Sequence, residues 1–75
     1  LGRYLRNNGQ KPGTWKPLID AGRVSATFAC PKCGEIIFLT DHQIEEGGII
    51  TPLVICRTEG CGFHENIILE GWIFI

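Results

Sequence analysis

Four cysteines in two pairs constrain this 75-residue chain more than any other feature. The first pair stands in Cys30-Pro31-Lys32-Cys33-Gly34 and the second in Cys56-Arg57-Thr58-Glu59-Gly60-Cys61-Gly62, with 22 residues between Cys33 and Cys56. Two thiol pairs at such a separation can close on one tetrahedral metal ion. A pair two residues apart grips a single ion only if the backbone between them turns tightly, and Pro31 and Gly34 suit that turn. Gly62 follows Cys61 as Gly34 follows Cys33, so in each half an amide without a side chain has room to approach a ligand sulfur.

Size makes a cross-link necessary. One domain of this length rarely closes a core worth more than about 3 to 5 kcal/mol without a staple. A zinc ion held by four thiolates supplies about 10 to 16 kcal/mol of apparent binding free energy, so folding is expected to depend on metal. Two disulfides are the competing use of the four cysteines. The chain shows neither a signal peptide nor a glycosylation sequon, and a disulfide has no need of the paired glycines, which favours the metal. Iron in a tetrahedral sulfur set stays open as an alternative to zinc.

With CPKCG as its most specific part, the pattern over residues 23–75 resembles a zinc ribbon, with its rubredoxin-like knuckles. The resemblance implies a structural zinc, antiparallel hairpins that carry the knuckles, and partner binding as the usual work. Here four residues separate Cys56 from Cys61, where the commoner second knuckle has two.

Between the pairs the chain reads as strand. Val24, Ala26 and Phe28 alternate with Ser25 and Thr27 and lead into the first knuckle, and residues 35–39 (EIIFL) return from it as the second strand of a hairpin. Thr40 to Gln43 has the form of a capping box and predicts a short helix ended by Gly47 and Gly48; a hairpin joining residues 43–44 to 49–50 is the alternative. Residues 49–56 are expected to form a strand weakened at Pro52. Residues 63–69 and 72–75 are expected as strands after the second knuckle, the last either packed in the sheet or open to a partner.

Residues 1–22 have a different character: four glycines, two prolines and no sustained apolar period. They predict a flexible arm preceding a ribbon domain at residues 23–75. The arm carries Arg3, Arg6, Lys11 and Lys16 beside Tyr4 and Trp15, a mixture suited to neutralising phosphates and stacking on bases. Charge is divided along the chain: residues 1–32 hold six Lys or Arg and one acid, whereas residues 33–75 hold Arg57 against seven acids. Four thiolates on a divalent ion leave the site with two negative charges, and Lys32 and Arg57, one in each knuckle, are placed to screen them. The start at Leu1 suggests a fragment or a processed chain.

The expected product is a small metal-bound β-rich domain, a zinc ribbon that binds one zinc ion through Cys30, Cys33, Cys56 and Cys61. Its expected work is non-catalytic, because four cysteines close the shell and leave no position for water. Nucleic-acid binding through Arg3, Tyr4, Arg6, Lys11, Trp15 and Lys16 is the first reading. Protein docking through a sheet edge and the apolar C-terminal strand is the alternative, brought nearly level by the acidity of the body. Thiol redox chemistry lacks the alternation of strands and helices that accompanies a catalytic dithiol. His64, three residues after Cys61, is a possible substitute ligand, and His42 is expected to be solvated. No run approaches the roughly 18 apolar residues of a membrane helix, so a soluble protein of a reducing, cytoplasmic compartment is expected.

Overall fold

The computed structural model describes residues 2–72, and these form three small sheets without an α-helix. The largest has five strands in the order β4-β3-β2-β1-β9: β1 is Gly2–Arg6, β2 Thr14–Asp20, β3 Arg23–Ala29, β4 Ile36–Phe38 and β9 Ile67–Leu69. Two hairpins complete the sheets of the described residues: β5 (Gln43–Ile44) with β6 (Ile50–Thr51), and β7 (Val54–Ile55) with β8 (His64–Glu65).

The alternating run before the first knuckle forms β3, and β4 returns antiparallel to it with Phe28 opposite Ile37 and Ala29 opposite Ile36. The knuckle CPKCG is the tip of that hairpin. On its other side β3 pairs with β2 over six positions, from Trp15 opposite Phe28 to Asp20 opposite Arg23. The connecting turn is Ala21-Gly22, with φ of 50° and 81°. Positive φ at both central residues is what a two-residue hairpin needs to match the twist of its strands.

The arm expected at residues 1–22 is therefore corrected: the segment supplies β1 and β2, and the β2–β3 hairpin crosses the boundary expected after residue 22. β1 lies parallel to β2 on one side and to β9 on the other. Parallel neighbours ordinarily need a crossover of a dozen residues or more. Here residues 7–13 suffice, because β1 and β2 overlap only at Leu5 opposite Thr14 and Arg6 opposite Trp15. Pro17 lies beyond this overlap, where β2 has β3 alone as a partner and a missing donor is tolerated.

The capping-box helix is also corrected. Residues 39–51 form two 3-10 turns, Leu39–Asp41 and Glu46–Gly48, around the β5–β6 hairpin, which is the alternative expected from the two glycines. The strand expected from Ile49 to Cys56 breaks at Pro52 into β6 and β7, and the one expected over residues 63–69 breaks at Asn66 into β8 and β9. A bridge between Ile49 and Ile68 attaches the β5–β6 hairpin to β9. Of the last expected strand, residues 73–75 lie outside the described residues.

The core runs from the five-stranded sheet to the knuckles. Trp15, Phe28, Leu39, Ile50, Val54, Ile67 and Leu69 are buried, and Cys30, Cys56 and Phe63 belong to the same apolar cluster. Three aromatic rings run through it: Tyr4 meets Phe28 edge-on at 4.8 Å between centroids, and Phe28 faces Phe63 at 6.0 Å. The layer beneath the second knuckle is thus continuous with the centre of the sheet.

Candidate metal centre

The two knuckles converge. All four cysteine sulfurs lie within 4.8 Å of one another, with Cys30 Sγ 3.5 Å from Cys61 Sγ and Cys33 Sγ 3.5 Å from Cys56 Sγ. A tetrahedron of sulfurs about 2.3 Å from a central zinc has edges of about 3.8 Å, inside that range. A disulfide brings its sulfurs to about 2.05 Å, and all four cysteines are free thiols. The two closest approaches join opposite knuckles, so an ion at this point would cross-link the β3–β4 tip to the β7–β8 loop.

Each knuckle is built from main-chain hydrogen bonds that aim its pair. In the first, Cys30 N–H donates to the Glu35 carbonyl at 2.9 Å and Gly34 N–H to the Cys30 carbonyl at 2.8 Å, with Gly34 at φ 78°. In the second, Cys56 N–H donates to the Phe63 carbonyl at 3.0 Å and Cys61 N–H to the Thr58 carbonyl at 3.0 Å. The additional residues between Cys56 and Cys61 are absorbed by a turn with Gly60 at φ 81°, after which Gly62 sits at φ 70°. The glycines thus act through backbone conformation, and the Gly34 amide goes to a carbonyl rather than to sulfur.

The donors that tune the sulfurs come from residues outside the paired glycines. Thr58, through its hydroxyl and its backbone N–H, holds the Cys56 thiol low, at about 7, against the opposing effect of burial. Phe63 N–H pulls the Cys61 thiol down, but burial and the neighbouring sulfurs outweigh it and push Cys61 up to about 12. Before metal binds, the cluster therefore holds protons unequally, and an ion entering it has to displace them. Thr58 carried no signal in the sequence beyond its place between two cysteines.

Burial is graded across the cluster: Cys30 and Cys56 are buried, Cys61 is half-buried and Cys33 is exposed. The inner pair is anchored in the apolar core and the outer pair faces solvent. Pro12 and Gly13, from the loop between β1 and β2, lie close to Gly34 and Pro31 and brace the first knuckle from outside. Lys32 and Arg57 are exposed, one at each knuckle. No family model, curated protein or solved structure matches this chain.

The histidines lie elsewhere. His64 is exposed on β8 and hydrogen-bonds the Gly62 carbonyl through Nδ1 at 3.1 Å. His42, expected to be solvated, is half-buried instead: Nε2 donates to the Leu53 carbonyl at 3.3 Å, and Nδ1 is buried without a partner among the described residues. The six residues considered for nucleic acid lie on β1, β2 and the loop between them, but their side chains do not form an open basic and aromatic face. Trp15 is 1% exposed and its indole N–H donates to the Glu70 carbonyl at 3.0 Å, so neither face is open to a base. Tyr4 is half-buried against Phe28. Arg3 pairs with Glu70 at 3.2 Å, Arg6 reaches the Asn8 side chain at 3.5 Å, Lys11 is exposed and Lys16 half-buried. No helix among the described residues is long and apolar enough to cross a membrane.

Proposed function

We propose that the chain is a non-catalytic zinc module, similar to a zinc ribbon, in which one ion bound by Cys30, Cys33, Cys56 and Cys61 fixes the two knuckles and so the surface around them. The convergence of four sulfurs within 4.8 Å carries this reading. Four thiolates satisfy a tetrahedral zinc and leave no open position for substrate or water, which is the arrangement of a structural site. The burial of Cys30 and Cys56 in the core supports the same conclusion, because loss of the ion would leave their thiols in the apolar core without the cross-link that holds the two knuckles together. A reducing compartment would keep the thiols available.

Protein docking is the activity we assign to that surface. The aromatic residues that favoured nucleic acid, Trp15 and Tyr4, are engaged in the core, which leaves the basic residues of β1 and β2 without stacking platforms. Exposed apolar side chains occur at Leu5 and Ile19 on β1 and β2, and also at Phe38 on the terminal strand of the large sheet and Ile55 on the β7–β8 hairpin, where the two line one groove.

Native mass spectrometry of the purified chain tests the metal. The expected spectrum shows one zinc per chain, lost together with the compact charge-state distribution when a chelator is added. An iron mass and a red colour would replace zinc by iron in the same cage. A metal-free, compact chain lighter by four hydrogens would show two disulfides and overturn the reading.

A further inference from the structure

The outer edge of β4 opens on a groove of about 780 Å³, whose far wall runs from Pro52 through β7 to Thr58. β4 is the terminal strand of the five-stranded sheet, and no strand among the described residues pairs with its second edge. Apolar side chains line both walls: Ile36 and Phe38 on β4, Leu53 and Ile55 opposite, with Phe38 61% and Ile55 56% exposed. The charges are placed unevenly. Glu35 and Asp41 flank β4, both exposed and outside any ion pair among the described residues, and Arg57 stands on the other wall.

An unpaired strand edge beside an apolar trough is a template for strand addition, in which main-chain hydrogen bonds bind and alternate side chains select. We propose that this groove takes an extended segment of a partner protein, added along β4, with apolar residues at alternate positions against Phe38 and Ile55 and Lys or Arg beside Glu35 and Asp41. The inference rests on the docking reading above and gives it a site and a ligand chemistry. Charge selects this occupant over two others. A second copy paired antiparallel through its own β4 would bring Glu35 of one chain toward Asp41 of the other, like charges flanking neighbouring strands. A nucleic acid would place phosphates against the same two carboxylates.

The test is selection from a phage-displayed library of random dodecapeptides on the immobilised full chain, with one zinc per chain established on the same sample. A failure of the metal reading appears at that first measurement, before any peptide is added. The expected result is enrichment of sequences that alternate β-branched or aromatic residues with Lys or Arg. A synthetic peptide of that sequence should bind the chain, lose binding when every second backbone nitrogen is methylated, and bind Phe38→Asp more than about 30-fold more weakly, the scale of a hot-spot contact. Phe38 is exposed, so this variant should keep its zinc, and the double variant Glu35→Lys, Asp41→Lys should weaken the same peptide without touching the apolar wall. No enrichment, enriched peptides indifferent to N-methylation, or peptides displaced by a single-stranded poly(dT) oligonucleotide would each overturn the proposal.

Discussion

The Tyr4 hydroxyl donates to Glu65 Oε1 at 3.0 Å and joins the first strand of the chain to the strand that leaves the second knuckle. The same ring lies edge-on against Phe28, near the end of β3 that leads into the first knuckle. One side chain thus couples three parts of the fold: the N-terminal strand, the hairpin that carries the first cysteine pair, and the hairpin that carries the second. The environment also changes its acidity. Burial raises the Tyr4 hydroxyl, the hydrogen bond to Glu65 and the charges of Glu65 and Cys30 add to the effect, and together they push it from 10.0 to about 12.

Tyr4 is the sole tyrosine, so tyrosinate absorbance reports it alone. Because the folded protein holds the proton more tightly than the unfolded chain, its contribution to stability is complete below pH 10.0 and is lost as pH rises toward about 12. The absorbance midpoint of the folded protein is expected near the upper value. Glu65→Gln should lower it while burial keeps it above 10.0. A native midpoint at the ordinary tyrosine value would remove the contact from the account.

Trp15 provides the second test, because it separates a docked strand from a mobile arm. Its indole is buried, tilted against Trp72 at 5.6 Å and bonded to the Glu70 carbonyl. Trp15→Ala is expected to cost about 3–5 kcal/mol, comparable with the whole stability of a small domain. Guanidinium unfolding of the zinc-loaded chain measures it. Removal of residues 1–22 should likewise unfold the remainder, because β1 separates β2 from β9 in the sheet. A truncated chain with unchanged stability would restore the arm.

These two residues show what was legible in the sequence. The knuckles could be read because cysteine spacing, Pro31 and the following glycines act locally, and β3 could be read because its apolar residues alternate. β1 and β2 could not. β1 pairs with β9, more than sixty residues away, and β2 is held between β1 and β3, so the burial that makes them strands has no local pattern. Pro17 and the surrounding glycines gave the segment the composition of a loop, and the hairpin turn was hidden by Ala21, an unusual occupant of φ 50°. Trp15 among cations had the look of a stacking platform, although its ring is buried against Trp72. The capping box at Thr40 misled because only a few residues precede Gly47 and Gly48, too few to sustain a helix without a packed face.

Thr58 makes the metal site testable beyond its ligands. Its hydroxyl is the largest influence holding Cys56 at about 7, so Thr58→Val should raise that thiol toward 9.0. Loss of such an outer contact is expected to weaken zinc binding by about 10- to 100-fold. A folded thiol held low stabilises the thiolate above 9.0, and the benefit disappears as pH falls through about 7. Competition with a chelator should therefore show a difference between parent and variant that is largest at pH 7 and below and shrinks above pH 9, where Cys56 is ionised in both. A difference independent of pH would assign Thr58 a packing role only.

Gly47 and Gly48 share φ of 85° but differ in what surrounds them. A Cβ on Gly47 meets nothing within 4 Å, so Gly47→Ala carries only the left-handed penalty, about 1–2 kcal/mol. A Cβ on Gly48 would collide with the Leu69 carbonyl oxygen and come within 2.9 Å of Trp72 Cβ. The oxygen is main chain of β9, held in the sheet by β1, so relief has to come from the other side: the Glu46–Gly48 turn must lift away. That movement would break the bridge between Ile49 and Ile68 that attaches the β5–β6 hairpin to the sheet. Gly48→Ala is therefore expected to cost at least about 2 kcal/mol more than Gly47→Ala in urea unfolding of the zinc-loaded chain. Amide exchange should rise through residues 43–51 in Gly48→Ala alone, whereas equal losses in the two variants would show that the turn is free to shift and that the hairpin is not held down at this point.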